Sequence, residues 1–213
     1  MILKNKALPL LFTTLWLLSG CATQETTSTF TSKTPANWPA QMSALNKLQH
    51  WKITGKLGLR TKKSIDSAII NRWEQNHSTY SINLSSVLFG LGATYIKGNQ
   101  NYLMIQRGND DPVFSSKPDQ LIESQTGWPL PLRQIPFWIK GVNAPGSSVK
   151  RTFTDKGLPA SLEQDHWHIT YSRFSILNGL PLPGKIIFQR DDFRLIFIIQ
   201  KWHFIPKNIQ PDY

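Results

Sequence analysis

Two histidines, His166 and His168, flank Trp167 in a segment that alternates like a β-strand. Residues two apart on a strand share a face, so the two imidazoles would project together, as a pair of metal ligands must. No third ligand lies near them in the sequence, and an ordinary polar strand face is the better account of the pair. Asp191 and Asp192 are adjacent carboxylates between two apolar runs, a pattern that reads as a hairpin turn and not as an acid–base pair. Serines are frequent, but no Gly-x-Ser-x-Gly elbow surrounds any of them, and neither form of Gly-rich phosphate loop is present. With only 13 acidic residues scattered along 213, the chain offers no set of groups for catalysis. Binding without a cofactor or a metal is the expected chemistry.

One nucleophile has a clear context. Lys4 and Lys6 precede an apolar run over residues 7–18 that is too short to span a bilayer, as in a secretory leader. The run ends in Leu18-Ser19-Gly20-Cys21, which resembles the lipobox of bacterial lipoproteins. That resemblance implies a diacylglyceryl thioether on Cys21, cleavage before it and acylation of the new amino terminus. Two or more acyl chains make an anchor stable, at about 0.8 kcal/mol per buried CH₂. Position 22 is Ala, whereas Asp after the cysteine retains enteric-type lipoproteins at the inner membrane, so outer-membrane sorting is implied. Cys21 is also the only cysteine, which excludes a disulfide within the chain despite the oxidising compartment.

The balance of charge narrows the partners. The chain carries 24 Lys and Arg against 13 Asp and Glu, and losing residues 1–20 removes Lys4 and Lys6 to leave a net charge of +9. A secreted, tethered chain does not meet nucleic acid, so the charge is assigned to anionic lipid surfaces or an acidic protein partner. A solvated face that keeps the protein soluble accounts for it equally well.

Residues 21–37 are rich in Thr and Ser and too poor in apolar groups to fold, so a flexible tether is expected after a leader over 1–20, followed by a single domain over 38–213. Met42, Leu45, Leu48 and Trp51 recur at helical spacing. From Trp51 the period becomes two, with Trp51, Ile53, Leu57 and Leu59 on one face and Lys52, Thr54, Lys56 and Arg60 on the other. Segments 69–74, 79–85, 93–97 and 102–107 continue as an antiparallel meander. Short helices are expected from Lys117 and over 130–141, where Pro136 threatens a kink. Strands resume at 161–171, 185–190 and 193–204, and the last is apolar on both faces, so it must be covered on both sides or cover a cavity on one.

Eight tryptophans with many Phe and Tyr supply rigid surface for a core or a cavity wall, and a curved antiparallel sheet closed by helices is a known container for apolar ligands. One stretch breaks the pattern. "LSSVLFGLGA", residues 84–93, lies between two strands where a polar turn belongs, yet carries Val87, Leu88, Phe89 and Leu91.

The lipobox, the tether, "WKITGKLGLR" at 51–60, the Trp of "NRWEQ", the apolar turn after "INLSS" and above all "TGWPLPLRQIPFWIKG" at 126–141 together resemble the LolB family of outer-membrane lipoprotein receptors over about residues 38–204. The resemblance implies a mainly β fold: an incomplete antiparallel barrel of roughly 10–11 strands, covered by helices and enclosing a hydrophobic cavity. It implies a monomer that is no enzyme, that receives lipoproteins from the periplasmic carrier LolA without ATP, and that releases them into the inner leaflet of the outer membrane. The partners implied are LolA, the acyl chains of cargo lipoproteins and outer-membrane phospholipid. In the family an exposed leucine in the equivalent turn places cargo in the membrane. Leu88 matches it best, but Val87 stands where proline is usual and Phe89-Gly90-Leu91 are extra, so the role falls to Leu88, to Phe89, or to the set with Leu91. Its apolar groups gain about 1.5–3 kcal/mol each when fully buried, whether in lipid or folded back into the barrel mouth. Candidates for the acyl-chain cavity are Trp51, Trp73, Tyr80, Ile82, Phe137, Trp138, Phe197 and Ile199, and for carrier docking Lys52, Lys56 and Arg60. A structural or assembly subunit that docks a protein partner is the competing reading, and an envelope hydrolase built on His166, His168 and scattered carboxylates is a third.

Overall fold

A computed structural model of the protein describes residues 30–85, 93–126 and 130–205. Helix α1, Trp38–Lys47, opens with Pro39 in its first turn, where a missing N–H costs nothing, and buries Trp38 and Leu45. A meander follows: β1 His50–Arg60, β2 Ile65–Asn76, β3 Thr79–Ser85, β4 Thr94–Gly98, β5 Leu103–Arg107 and β6 Val113–Ser115. Helices α2, Pro118–Thr126, and α3, Ile135–Trp138, come next, then β7 Lys150–Phe153, β8 Pro159–Gln164, β9 Trp167–Ser172, β10 Ser175–Leu177, β11 Leu180–Leu182, β12 Lys185–Arg190 and β13 Phe193–Phe204.

Eleven strands form one antiparallel sheet in the order β6-β5-β4-β3-β2-β1-β13-β12-β9-β8-β7, while β10 and β11 pair as a separate hairpin. The first and last long strands therefore meet along a central seam, and β6 and β7 are the two edge strands of an unclosed barrel. The expected incomplete barrel is what forms. Gly55 sits at a bulge in this seam, where the register between β1 and β13 slips after Thr54. A Cβ there would lie 2.1 Å from the Ile198 carbonyl oxygen, so only glycine allows the approach.

Alternation sends one row of each strand inward. Trp51 packs on Trp73 and Trp202 with ring centroids 5.5 and 5.4 Å apart, and Phe197 joins Trp73 to Phe188 at 6.0 and 5.4 Å. Trp138 extends the chain of rings from α3 onto Phe188 and Trp167. Inner residues of β13 are buried in this core, whereas outer Ile196 and Ile198 are half-buried beside Gly58 and Lys56 of β1. The outer face of β13 is thus partly open to solvent, contrary to full cover on both sides.

Three local expectations are corrected. His166 is not on a strand: Asp165 and His166, at φ 52° and 64°, form the two-residue turn between β8 and β9, so the two histidines do not share a face. His168 instead faces Glu163, with Nδ1 3.5 Å from Oε1. Asp and His tolerate the left-handed conformation such a turn requires, which is why this pair ends the strand. Pro136 does not kink a longer helix, because α3 begins beside it and is four residues long. The segment expected as a free tether to Asn37 is bonded from Thr31, whose N–H and C=O pair with Phe153 at 2.9 and 2.8 Å and so cover the end of β7. Asp191 and Asp192 do form the turn between β12 and β13.

Candidate functional site

A cavity of about 300 Å³ opens where the C-terminus of α1, the β2–β3 and β4–β5 turns, the start of α2 and the segment through α3 converge. Its inner wall is made by Trp51 of β1, Gln75 of β2 and Tyr80 of β3, all buried. Leu48, Leu132 and Phe137 line the middle, and Asn46, Gln49, His77, Ser78, Asn99 and Gln100 add polar groups. No Asp or Glu is among the lining residues, whereas Arg133 and Lys140 are.

Lys140 is the unusual member. It follows α3 in an apolar run that ends at Gly141, whose φ of 84° turns the chain away. The side chain is 4% exposed, and its ammonium donates to the Leu45 and Leu48 carbonyl oxygens, both at 2.9 Å, at the C-terminal end of α1. Carbonyls at a helix C-terminus favour a cation, yet burial pushes the ammonium down to about 8. Tyr80 presents a hydroxyl that is buried without a hydrogen-bond partner among the described residues. Gly98 makes room for it, since a Cβ there would lie 2.9 Å from the phenol oxygen. Burial first, and the charge of Asp119 second, raise this hydroxyl well above the ordinary tyrosine range.

Of the residues expected to line a cavity, Trp51, Tyr80 and Phe137 meet at this one. Trp73, Trp138, Phe197 and Ile199 are buried in the core beyond it, and Ile82 is half-buried against that core. Lys140 and Gln75 escaped the sequence reading. A lysine inside the apolar run over 135–142 was the available signal for the first, and nothing local marks the second.

Lys52, Lys56 and Arg60 alternate along the outer face of β1, with Lys52 half-buried and the other two exposed. Arg60 is paired with Arg194 on one side and with the 77% exposed Ile65 on the other. Cys21 and the apolar turn with Leu88, Phe89 and Leu91 lie outside the described residues. The chain enters that turn from Ser85, paired with the exposed Ile69, while Tyr80 marks the opposite, cavity end of β3. At about 3.4 Å per residue, the two ends of β3 are roughly 20 Å apart.

The family described as "Outer membrane lipoprotein LolB" matches residues 49–202. Among curated relatives named outer-membrane lipoprotein LolB, that of Pseudomonas fluorescens is 33% identical over 201 residues, covering 94% of this chain and 96% of its own. That of Marinomonas sp. is 34% identical, covering 87% and 92%, and that of Marinobacter nauticus is 30% identical, covering 87% and 91%. Among solved structures, a LolA superfamily protein of Nitrosomonas europaea is similar at a TM-score of 0.45 and 8% identity, covering 78% of this chain and 93% of its own. With the family's match spanning most of the half-barrel and the relatives covering nearly the whole chain, this protein belongs to the LolB family of outer-membrane lipoproteins.

Proposed function

We propose that the protein is a non-enzymatic acceptor that takes lipoproteins from the carrier LolA, shelters their acyl chains inside the half-barrel and releases them into the inner leaflet of the outer membrane. The observation that carries this reading is an unclosed antiparallel sheet of a LolB-family chain whose inner side holds an aromatic-walled cavity. At 300 Å³ the cavity has the volume of about ten waters, less than three acyl chains that each span half of a ~30 Å hydrocarbon layer. Uptake of cargo therefore requires the helices to move off the aromatic wall. Transfer needs only a gradient of affinity, tighter than the carrier and looser than the bilayer.

Cys21 is the lipidated residue in this reading, and Leu88, Phe89 and Leu91 enter the lipid boundary. The strand ends on either side of that turn lie at the far end of β3 from the cavity. The turn accordingly acts on the bilayer, while cargo is held elsewhere. Lys52, Lys56 and Arg60 supply a basic face for the carrier.

The test is cargo transfer with the mature chain carrying Cys21→Ala and with its Leu88→Glu/Phe89→Glu derivative, scoring acceptance from loaded LolA separately from insertion into liposomes. Acceptance retained with insertion lost is the expected result. If neither protein accepts cargo, and one protein partner co-purifies in stoichiometric amount, the assembly-subunit reading replaces this one.

A further inference from the structure

Lys140 and Tyr80 line the same cavity, and each is more than nine-tenths buried. An ammonium has three donors, and the two carbonyls of Leu45 and Leu48 take two of them. The Tyr80 hydroxyl has no partner among the described residues. Leaving a buried donor unsatisfied costs about 1–3 kcal/mol, and a buried charge with no counter-charge costs more. Among the described residues no carboxylate lines the cavity, and the acidic charge that reaches Tyr80 is that of Asp119 at the start of α2. Both donors call for an acceptor, and the ammonium calls for a negative one. Trp51, Leu48, Leu132 and Phe137 give the wall an apolar and aromatic part, beside the neutral polar groups and Arg133.

We propose that this cavity is a binding site for a single-chain anionic amphiphile, entered head first, with the anionic oxygens held by Lys140 Nζ and Tyr80 Oη and the start of the alkyl chain against Phe137 and Leu132. The chemistry is that of a carboxylate or phosphate on one acyl chain, which a free fatty acid and a lysophospholipid share. A volume of about 300 Å³ suits one chain better than several. Such a site would let the protein hold a lipid of its own when no cargo is present, and it does not depend on lipoprotein transfer.

The experiment is titration calorimetry on the full mature chain carrying Cys21→Ala, with decanoate, decyl phosphate and decanol as probes below their aggregation concentrations. No carrier or cargo is present, so failure here leaves the lipoprotein reading standing. One of the two anionic probes is expected to bind at least tenfold more tightly than decanol. The tighter anion tells which source the site is built for: decanoate points to fatty acid and decyl phosphate to lysophospholipid. Tyr80→Phe is expected to weaken the favoured anion several-fold and leave decanol unchanged, and Lys140→Met to abolish the preference for anion over alcohol. Because the Tyr80 hydroxyl makes no bond among the described residues, Tyr80→Phe is expected to leave the fold intact and decides the matter even if Lys140→Met unfolds. Equal affinity for anion and alcohol, no binding of any probe, or a Tyr80→Phe variant that discriminates as before would overturn the proposal.

Discussion

The indole Nε1 of Trp138 donates to Oε1 of Gln164 at 2.7 Å, joining the four-residue helix α3 to the end of β8. The same amide oxygen accepts from the Ala144 N–H at 2.9 Å, and Nε2 donates to the Ala144 carbonyl and to Ser147 Oγ at 2.8 and 3.0 Å. One buried side chain thereby holds the helix and the loop that follows it. Gln164→Leu would leave the indole and the Ala144 N–H without their partner, at about 1–3 kcal/mol each, and the Ala144 carbonyl with only the Asn143 Nδ2 donor at 3.3 Å. A loss of about 3 kcal/mol or more in urea unfolding is expected, whereas a change under 1 kcal/mol would show that water or a shift of the loop replaces the amide.

Gly55 and Gly58 make a matched pair on β1. Ala at 55 meets the Ile198 backbone oxygen at 2.1 Å, while at 58 its nearest neighbour is Ile196 Cβ at 3.9 Å. Gly55→Ala is expected to destabilise by about 1–3 kcal/mol or more through opening of the β1–β13 seam, and Gly58→Ala to be neutral or to stabilise by about 0.5 kcal/mol. Thermal unfolding of the two variants side by side checks the contrast.

Lys140 makes stability depend on alkaline pH. Its folded pKa of about 8 lies below the unfolded value of 10.5, so between them the unfolded chain binds more protons and stability rises with pH. Tyr80 and Tyr171, whose hydroxyls burial pushes upward, reverse the slope above pH 10. From pH 8 to 10 the gain is on the order of 2 kcal/mol. Denaturant unfolding across this range should show it, and Lys140→Met should flatten it. An unchanged slope in the variant would place the titrating group elsewhere.

The outer face of β1 offers a test of carrier docking. Replacing Lys52, Lys56 and Arg60 by Glu lowers the mature charge from +9 to +3 and touches no residue of the cavity wall. Binding to LolA is expected to weaken most at low salt, since exposed charges act over about 10 Å at 0.1 M ionic strength. Equal affinity at all salt concentrations would move the docking surface off this strand.

Local pattern was enough wherever burial alternates without interruption. The bounds of β3, β12 and β13 coincide with the alternating runs, and Asp191-Asp192 marks its turn by composition. It failed where backbone conformation overrides period. Asp165-His166 interrupts an apparently continuous strand with two left-handed residues, and the β10–β11 hairpin lies outside the alternating runs although Asn178-Gly179 at its tip is a strong turn signal. Ile82 and Trp73 show a further limit: period places a side chain on the inner face but does not say whether a neighbour fills the space in front of it.

By itself, then, the sequence determined a mainly β half-barrel of the LolB family and a set of inward aromatics, because these depend on period two, turn composition and motif order along the chain. The cavity was decided only in three dimensions. Lys140 meets the carbonyls of Leu45 and Leu48 across more than ninety positions, and Tyr80 joins it because the start of β3 and the segment through α3 converge on one cavity. Whether an aromatic is wall or core depends on which distant side chains reach it, and that follows from packing, which no local pattern records.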